Sequence, residues 1–190
     1  MRTMFKKAVA ILMTTAVVVS GASVANSTTA SAAKKKSKTY KVQTFFAGVQ
    51  GKKTCYWIAG DGTGSSNGKV YMKNVKITQG KKTKVSITVK NPTKTKISAA
   101  TVFTVDLINI LKDYKKSKVK ISGVTVKADG KKKSVKYKTG SFEPKTKPNN
   151  YRLSLYNNWG TDGDNTKSIN KPKNFAFKKT LSVSFTVVAK

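Results

Sequence analysis

The sequence predicts an all-β protein, an antiparallel and jelly-roll-like β-sandwich of roughly eight or nine strands. Three observations predict this fold class: polar and apolar residues alternate with a period of two, the alternating runs are short, and turn residues separate them. About 150 residues follow residue 39, which is enough for one domain with its own hydrophobic core.

The N-terminal 33 residues have the composition of a secretory signal peptide. Three basic residues precede an apolar run at 8–19, and small residues at 30–33 fit a cleavage site. A basic linker is predicted at 34–39, and the β-sandwich domain at 40–190. We therefore expect a secreted, extracellular protein, with association to the cell wall as a further expectation. The apolar run is shorter than a typical membrane span, and the alternative to a cleaved signal is an uncleaved anchor. No basic amphipathic helix is evident in the sequence, so no membrane insertion is expected.

The predicted strands follow one another with turns between them. Val85, Ile87 and Val89 share one face of a cleanly alternating run, and Ala128-Asp129-Gly130-Lys131 is typical of a hairpin turn. One short helical turn is expected near 109–114. The predicted strands lie at 70–77, 82–89, 101–108, 118–126, 134–137, 151–157 and 181–188.

Positive charge dominates the chain after the signal segment. Residues 34–190 contain 35 lysines and one arginine against seven acidic residues, a formal net charge of +29. Such a charge favours anionic partners, including polymers of the cell envelope, acidic polysaccharide or nucleic acid; alternatively, it is simply a solvated face. Lysine is a point charge without the planar fork of arginine, so specific reading of nucleic acid is not expected.

The composition also excludes several kinds of active site. The chain has no histidine and one cysteine, which rules out Ser-His-Asp and Cys-His catalysis, histidine-ligated zinc and an intramolecular disulfide. A hydrolase with a pair of carboxylates remains an alternative, but the spacing of the seven acids selects no pair. The protein is therefore predicted not to be an enzyme.

Three predicted strands contain no lysine, namely 101–108, 151–157 and 181–188. If these strands are neighbours, their outward residues form a face of short polar groups around one arginine and one tyrosine, which could bind a sugar. The alternative is a neutral edge or a face covered by loops. The predicted outward residues are Thr104, Asp106, Arg152, Ser154, Tyr156, Ser182, Ser184 and Thr186.

The segment Tyr151 to Gly160, with 102–107, 126–131 and 181–187, resembles a β-sandwich module of secreted Gram-positive (clostridial-type) proteins. Such modules are similar to carbohydrate-binding modules and are often appended to polysaccharide hydrolases. The resemblance implies a β-sandwich over most of the chain after residue 40, polysaccharide as partner, and a tryptophan early in the domain, which Trp57 matches. The chain differs in its lysine content. It is also expected to stand alone, without a catalytic domain beside the module.

The candidate carbohydrate-binding residues surround this segment. Trp57 and Trp159 are the only tryptophans and could stack on a sugar, although each could equally belong to the core. Arg152 could bind a ligand through its fork or pair with Glu143 across neighbouring strands. The complete candidate set is Trp57, Arg152, Tyr156, Asn157, Asn158 and Trp159.

The loop after Trp159 contains the candidates for a metal site. Asp162 and Asp164 could offer oxygen ligands to a structural calcium ion, but the loop lacks a complete calcium-binding signature and could be an ordinary turn. No other cofactor is predicted.

The leading hypothesis is a secreted, non-catalytic polysaccharide-binding module retained at anionic surfaces by its lysine-rich face. The alternative is a structural or adhesive wall-associated polycation that acts by charge alone.

Overall fold

The computed structural model describes residues 35–57, 71–91, 93–160 and 164–190, without the side chains of 53–57 and 71. Ten strands lie in these ranges, and no α-helix does. The strands are β1 (Ser37–Gln50), β2 (Lys53–Trp57), β3 (Tyr71–Thr78), β4 (Thr83–Lys90), β5 (Ile97–Leu107), β6 (Val119–Ala128), β7 (Lys131–Lys133), β8 (Lys138–Gly140), β9 (Tyr151–Asn157) and β10 (Thr180–Ala189). The predicted all-β class is confirmed.

The strands form two antiparallel sheets of a sandwich. One has the order β2-β1-β5-β9-β8, with β3 also paired to β1, and the other has the order β4-β10-β6-β7. Strand β1 is long enough to pair with two strands on one edge, β3 along 37–44 and β2 along 46–50. Its other edge pairs with β5, which pairs in turn with β9.

The core lies between the inner faces of the two sheets, where alternating apolar residues meet. Phe46 of β1 packs edge-on against Phe103 of β5 and against Phe177, with ring centroids 5.7 and 5.5 Å apart. Val183 and Phe185 of β10 contribute from the second sheet and are almost fully buried. This packing explains why the period-two pattern predicts the fold class.

Short 3-10 helices connect several strands. The helical turn expected near 109–114 is a 3-10 helix at Ile110–Lys112, and two further ones lie at Lys116–Lys118 and Pro172–Phe175. Within the described ranges, no helix has the length and apolar character needed to span a bilayer. The predicted signal peptide, 1–33, lies outside the described residues.

Two predicted boundaries need correction. Strand β1 begins at Ser37, which pairs with Thr78, so the domain starts inside the predicted linker 34–39 and not at residue 40. The predicted strand at 134–137 is wrong, because the chain returns immediately after Asp129 and Gly130 as β7. Both turn residues have positive φ, as a two-residue hairpin requires, and Ala128 therefore pairs directly with Lys131.

Candidate functional site

The outer face of the larger sheet carries a patch of polar side chains on three neighbouring strands. The strand register aligns Gln43 of β1 with Asp106 of β5, and Asp106 with Arg152 of β9. The next row aligns Phe45, Thr104 and Ser154 in the same way. Four of the residues predicted to face outward, namely Thr104, Asp106, Arg152 and Ser154, are therefore neighbours on one face.

Arg152 is the centre of an ion cluster on this face. Its Nε and Nη2 donate to the two carboxylate oxygens of Asp106, at 2.6 and 2.9 Å. Its Nη1 donates to Oδ2 of Asp164 at 2.8 Å, and Nη2 also contacts Oε1 of Glu143. The predicted pairing of Arg152 with Glu143 is therefore present, as one contact in a cluster of three carboxylates.

The cluster is largely withdrawn from solvent. The side chains of Arg152 and Asp106 are each 10% exposed and that of Asp164 is 7% exposed. Burial alone would lower the pKa of Arg152, but its hydrogen bonds to Asp106 and the nearby carboxylate charges raise the pKa well above its ordinary value. Arg152 is therefore a permanent cation that joins β5, β9 and two loops.

Glu143 lies at the rim of the cluster and is about one-third exposed. Burial raises its pKa, but the charge of Arg152 and the contact with Lys147, at 3.0 Å, outweigh that effect and leave the pKa below its ordinary value. Glu143 is therefore held as a carboxylate at neutral pH.

Asn157 connects the cluster to the loop that follows β9. Its Nδ2 donates to Oδ2 of Asp164 at 2.8 Å, and its Oδ1 accepts from the backbone N–H groups of Trp159 and Gly160, at 3.0 and 2.8 Å. A Cβ atom on Gly160 would lie 2.8 Å from Nδ2 of Asn157, so only glycine fits without a shift of the loop. Asn157 therefore acts on the site by positioning Trp159.

A cavity of about 290 Å³ lies over this face. Asp106, Arg152 and Asp164 line its polar part, and the aromatic side chains of Phe45 and Trp159 line another part. The two rings are 6.2 Å apart at their centroids and inclined by 51°. Trp159 is 48% exposed, so about half of this aromatic side chain faces solvent beside the polar groups.

Asp164, one of the residues that line the cavity, has one carboxylate oxygen without a donor. Its Oδ1 is buried and has no hydrogen-bond partner in the described part of the chain, whereas Oδ2 of the same group accepts from Arg152 and Asn157. A buried carboxylate oxygen without a donor is energetically costly, and because this atom has no contact with solvent, a ligand in the cavity does not reach it directly.

Tyr156 does not belong to the outer face, and its predicted outward position is wrong. A β-bulge shifts the register between β5 and β9, so Thr104 pairs with Ser154 and Phe103 with Tyr156, leaving Leu155 as the extra residue. Tyr156 is consequently buried and packs on Phe175 at 5.8 Å between centroids. Burial raises the pKa of its hydroxyl.

The third predicted strand of the polar face is also elsewhere. Strand β10 lies in the smaller sheet between β4 and β6, so Ser182, Ser184 and Thr186 are not neighbours of Arg152. The period-two pattern reveals which residues of a strand share a face but not which sheet the strand joins.

The remaining predicted residues have mixed positions. Asn158 is exposed, and its backbone N–H donates to the carbonyl of Thr101; it is not among the residues that line the cavity. The backbone of Trp57 pairs with Phe46 at the edge of the larger sheet, while its side chain lies outside the described residues. The alternatives for Trp57 therefore stay open.

The predicted calcium candidates are not brought together as a metal site in the part that is described. Asp162 lies outside the described residues, and Asp164 binds Arg152 and Asn157. Among the described residues, no group of three or more histidine, cysteine, aspartate or glutamate side chains is arranged to hold a metal ion. The calcium hypothesis stays a prediction without support from these contacts.

Phe45 and Phe142 line the cavity but are absent from the predicted set. A signal for Phe45 was present in the sequence: Phe45 and Phe46 are adjacent in a strand, so their side chains must point to opposite faces, and one of them had to lie outside the core. Phe142 lies in the loop before β9, where the periodicity of strands gives no information.

Comparisons of this chain with protein-family models, with curated proteins and with solved structures found no match. The resemblance to carbohydrate-binding-like modules therefore stays a prediction from the sequence.

Proposed function

We propose that this chain is a secreted, non-catalytic polysaccharide-binding module that holds its glycan in the cavity over Arg152. The observation that carries the proposal is the combination of an exposed tryptophan, Trp159, with polar groups that include the partly exposed carboxylate of Glu143, in the lining of one cavity. An aromatic face next to convergent polar groups is the pairing that a sugar ring requires.

The chemistry of the two partners is complementary. A sugar ring offers hydroxyl groups around its edge and weakly positive C–H groups on its faces. The hydroxyls can donate to the partly exposed carboxylate of Glu143, and the C–H face can lie on the electron-rich ring of Trp159. Because the carboxylates and Arg152 already hold one another in place, little ordering is required on binding.

The protonation state of Glu143 supports binding rather than hydrolysis. Glycoside hydrolysis needs a carboxylic acid with a raised pKa that protonates the leaving oxygen. The pKa of Glu143 is lowered by Arg152 and Lys147, so this group is a poor proton donor at neutral pH. Asp106 has both oxygens occupied by Arg152.

The surface charge supports retention of the module at an anionic envelope or fibre. Three of the five acids in the described residues gather around Arg152, so few remain to neutralise surface lysines. Asp113 pairs with Lys38 at 2.7 Å, and Asp129 accepts from three backbone N–H groups. The excess positive charge is therefore available to external anions.

A binding experiment at two salt concentrations tests the proposal. The protein is incubated with cellulose, xylan, pectin and isolated cell wall, and the bound fraction is measured. We expect retention on at least one neutral glycan at high salt. Trp159→Ala should weaken it by up to about tenfold, because an aromatic contact contributes about 0.5–1.5 kcal/mol beyond the contact area. Tyr137→Ala, which removes another exposed aromatic outside the cavity lining, is the matched control.

Binding to acidic polymers alone, and only at low salt, would instead support the alternative function of a structural or adhesive wall-associated polycation. The large net charge favours that alternative. Equal retention of the wild type and Trp159→Ala on neutral glycan would show that the glycan does not bind in this cavity. Release of soluble sugar would show that the protein is an enzyme.

A further inference from the structure

A second surface with different chemistry lies on the outer face of the smaller sheet. The outward residues of its strand β10 include Ser182, Ser184 and Thr186, a row of hydroxyl groups that we call the hydroxyl stripe. Alternate residues of a strand lie about 7 Å apart, so the stripe presents a hydroxyl at that interval. Ser184 is exposed, and the other two are half-buried.

Lysines flank the hydroxyl stripe on both sides. The register pairs Thr186 with Lys84 of β4 and Ser182 with Lys127 of β6. Lys120 of β6 pairs with Val188 further along β10. All three lysines are exposed, and they follow the stripe over about 20 Å, since six residues of strand separate positions 182 and 188.

A groove of about 350 Å³ runs beside the stripe and is lined by Lys73, Lys84, Ser86, Ser184 and Thr186, among others. None of the five described acids belongs to this lining. The surface therefore combines a groove, uncompensated positive charge and regularly spaced hydroxyl groups.

We propose that the hydroxyl stripe and its flanking lysines bind a linear polyol-phosphate polymer. Each phosphodiester group carries one negative charge for the lysines and oxygens that accept from serine and threonine hydroxyls. The flexible polyol between phosphates needs no aromatic surface. This assignment goes beyond the glycan cavity, since the two surfaces lie on the outer faces of different sheets.

The residue types on this face favour that partner over nucleic acid. The described outward side chains of β4, β6 and β10 include no aromatic residue on which a base could stack. They include no arginine either, so the planar fork that reads phosphates and bases bidentately is absent from them.

Binding to lipid-free poly(glycerol phosphate) at about 0.15 M salt tests the assignment. The triple variant Lys84→Gln, Lys120→Gln, Lys127→Gln should bind about 100-fold more weakly, because a lysine beside an anionic surface contributes about 1 kcal/mol. The matched control removes the same charge from exposed positions elsewhere, with Lys94→Gln, Lys96→Gln and Lys173→Gln. It should lose only a few-fold in affinity, since screening is strong beyond about 8 Å.

A second variant separates hydroxyl contacts from charge. Ser182→Ala, Ser184→Ala and Thr186→Val together leave the net charge unchanged. They should lower the affinity about tenfold, because hydrogen bonds to the polymer are lost. The dependence of the affinity on salt should stay the same, because the number of counterions released on binding does not change. An unchanged affinity would overturn the role of the stripe.

Two further outcomes would overturn the assignment. An equal loss for both lysine triples would mean that total charge alone drives binding. Double-stranded DNA and polygalacturonate are tested at equal charge concentration. If either polymer binds as tightly as poly(glycerol phosphate), and if the triple variant of Lys84, Lys120 and Lys127 weakens its binding equally, the surface does not select polyol phosphate. Trp159→Ala should leave the binding of poly(glycerol phosphate) unchanged. A negative result for the hydroxyl stripe can therefore be distinguished from a negative result for the glycan cavity.

Discussion

Replacing Arg152 by alanine should destabilise the protein more than any single change on its surface. The substitution removes the cation that holds Asp106, Asp164 and Glu143. Two of these carboxylates are at least nine-tenths buried, so they would remain as unpaired charges with little access to water. Removing one partner of a buried ion pair costs about 3–5 kcal/mol.

The expected loss is a large part of the total stability, which is about 5–15 kcal/mol for a typical domain. For a domain of this size it corresponds to a melting temperature lower by about 6–20 °C. Urea unfolding at neutral pH measures the free energy of unfolding directly, and an unchanged slope shows that the unfolded states are comparable. Lys127→Ala, an exposed lysine, is the control and should change stability by less than about 0.5 kcal/mol.

Arg152→Lys distinguishes the shape of the arginine from its charge. Lysine keeps the positive charge but has one nitrogen, so it cannot contact both oxygens of Asp106 and Oδ2 of Asp164 in the observed geometry. We expect a loss of about 1–3 kcal/mol, smaller than for alanine, because charge-assisted hydrogen bonds are lost but the cluster keeps its cation.

The pH dependence provides an independent check. Burial raises the pKa of Glu143, but the charge of Arg152 and the contact with Lys147 outweigh it and lower this pKa, so the stabilisation of the Glu143 carboxylate is present at neutral pH and is lost as the pH falls. Arg152→Ala lacks the Arg152 part of that stabilisation at any pH. The difference in stability between wild type and Arg152→Ala should therefore shrink as the pH falls. If both Arg152 variants lie within about 0.5 kcal/mol of wild type, or if the difference grows at acid pH, the reasoning about this cluster is wrong.

Three further predictions concern other parts of the fold. Tyr156→Ala should cost about 3–5 kcal/mol in urea unfolding through loss of core packing, whereas Trp159→Ala should leave stability within about 1 kcal/mol; the reverse order would contradict their positions. Asn170→Ala should cost about 2–3 kcal/mol, because the buried amide donates to the carbonyls of Lys136 and Leu155 and accepts from an N–H; equal stability would refute this. The pKa of Asp129 is lowered, since its bonds to backbone N–H groups outweigh burial, so its stabilisation is present above about pH 4 and lost below. Asp129→Asn should therefore reduce stability at pH 7 and converge with wild type at acid pH, as thermal melts across pH would show.

Much of the fold was predictable because a half-buried strand imposes its period on the sequence. Val85, Ile87 and Val89 alternate with polar residues and are buried as expected, and β10 shows the same pattern. The strand at 134–137 was predicted wrongly because a tight turn at Asp129 and Gly130 starts the return strand earlier than composition alone indicates.

The candidate site was only partly predictable. Arg152 was identified because it is the one arginine among 35 lysines in residues 34–190, which indicates a need for its fork. Its partners Asp106 and Asp164 are 46 and 12 residues away in sequence, and no local pattern indicates such contacts. Tyr156 was misplaced because a β-bulge reverses the alternation after Ser154, and a bulge depends on the pairing of two strands.

The fold class, the large positive charge and the unusual position of Arg152 could be read from the order of residues, because periodicity, composition and rarity are properties of one chain. Which strands share a sheet is visible only in the three-dimensional arrangement. It placed β9 beside β5, so that three carboxylates gather around Arg152 beneath Trp159, and it placed β10 between two lysine-bearing strands of the other sheet. The physical reason is that strand pairing depends on contacts distant in sequence, whereas alternation depends only on the next two residues.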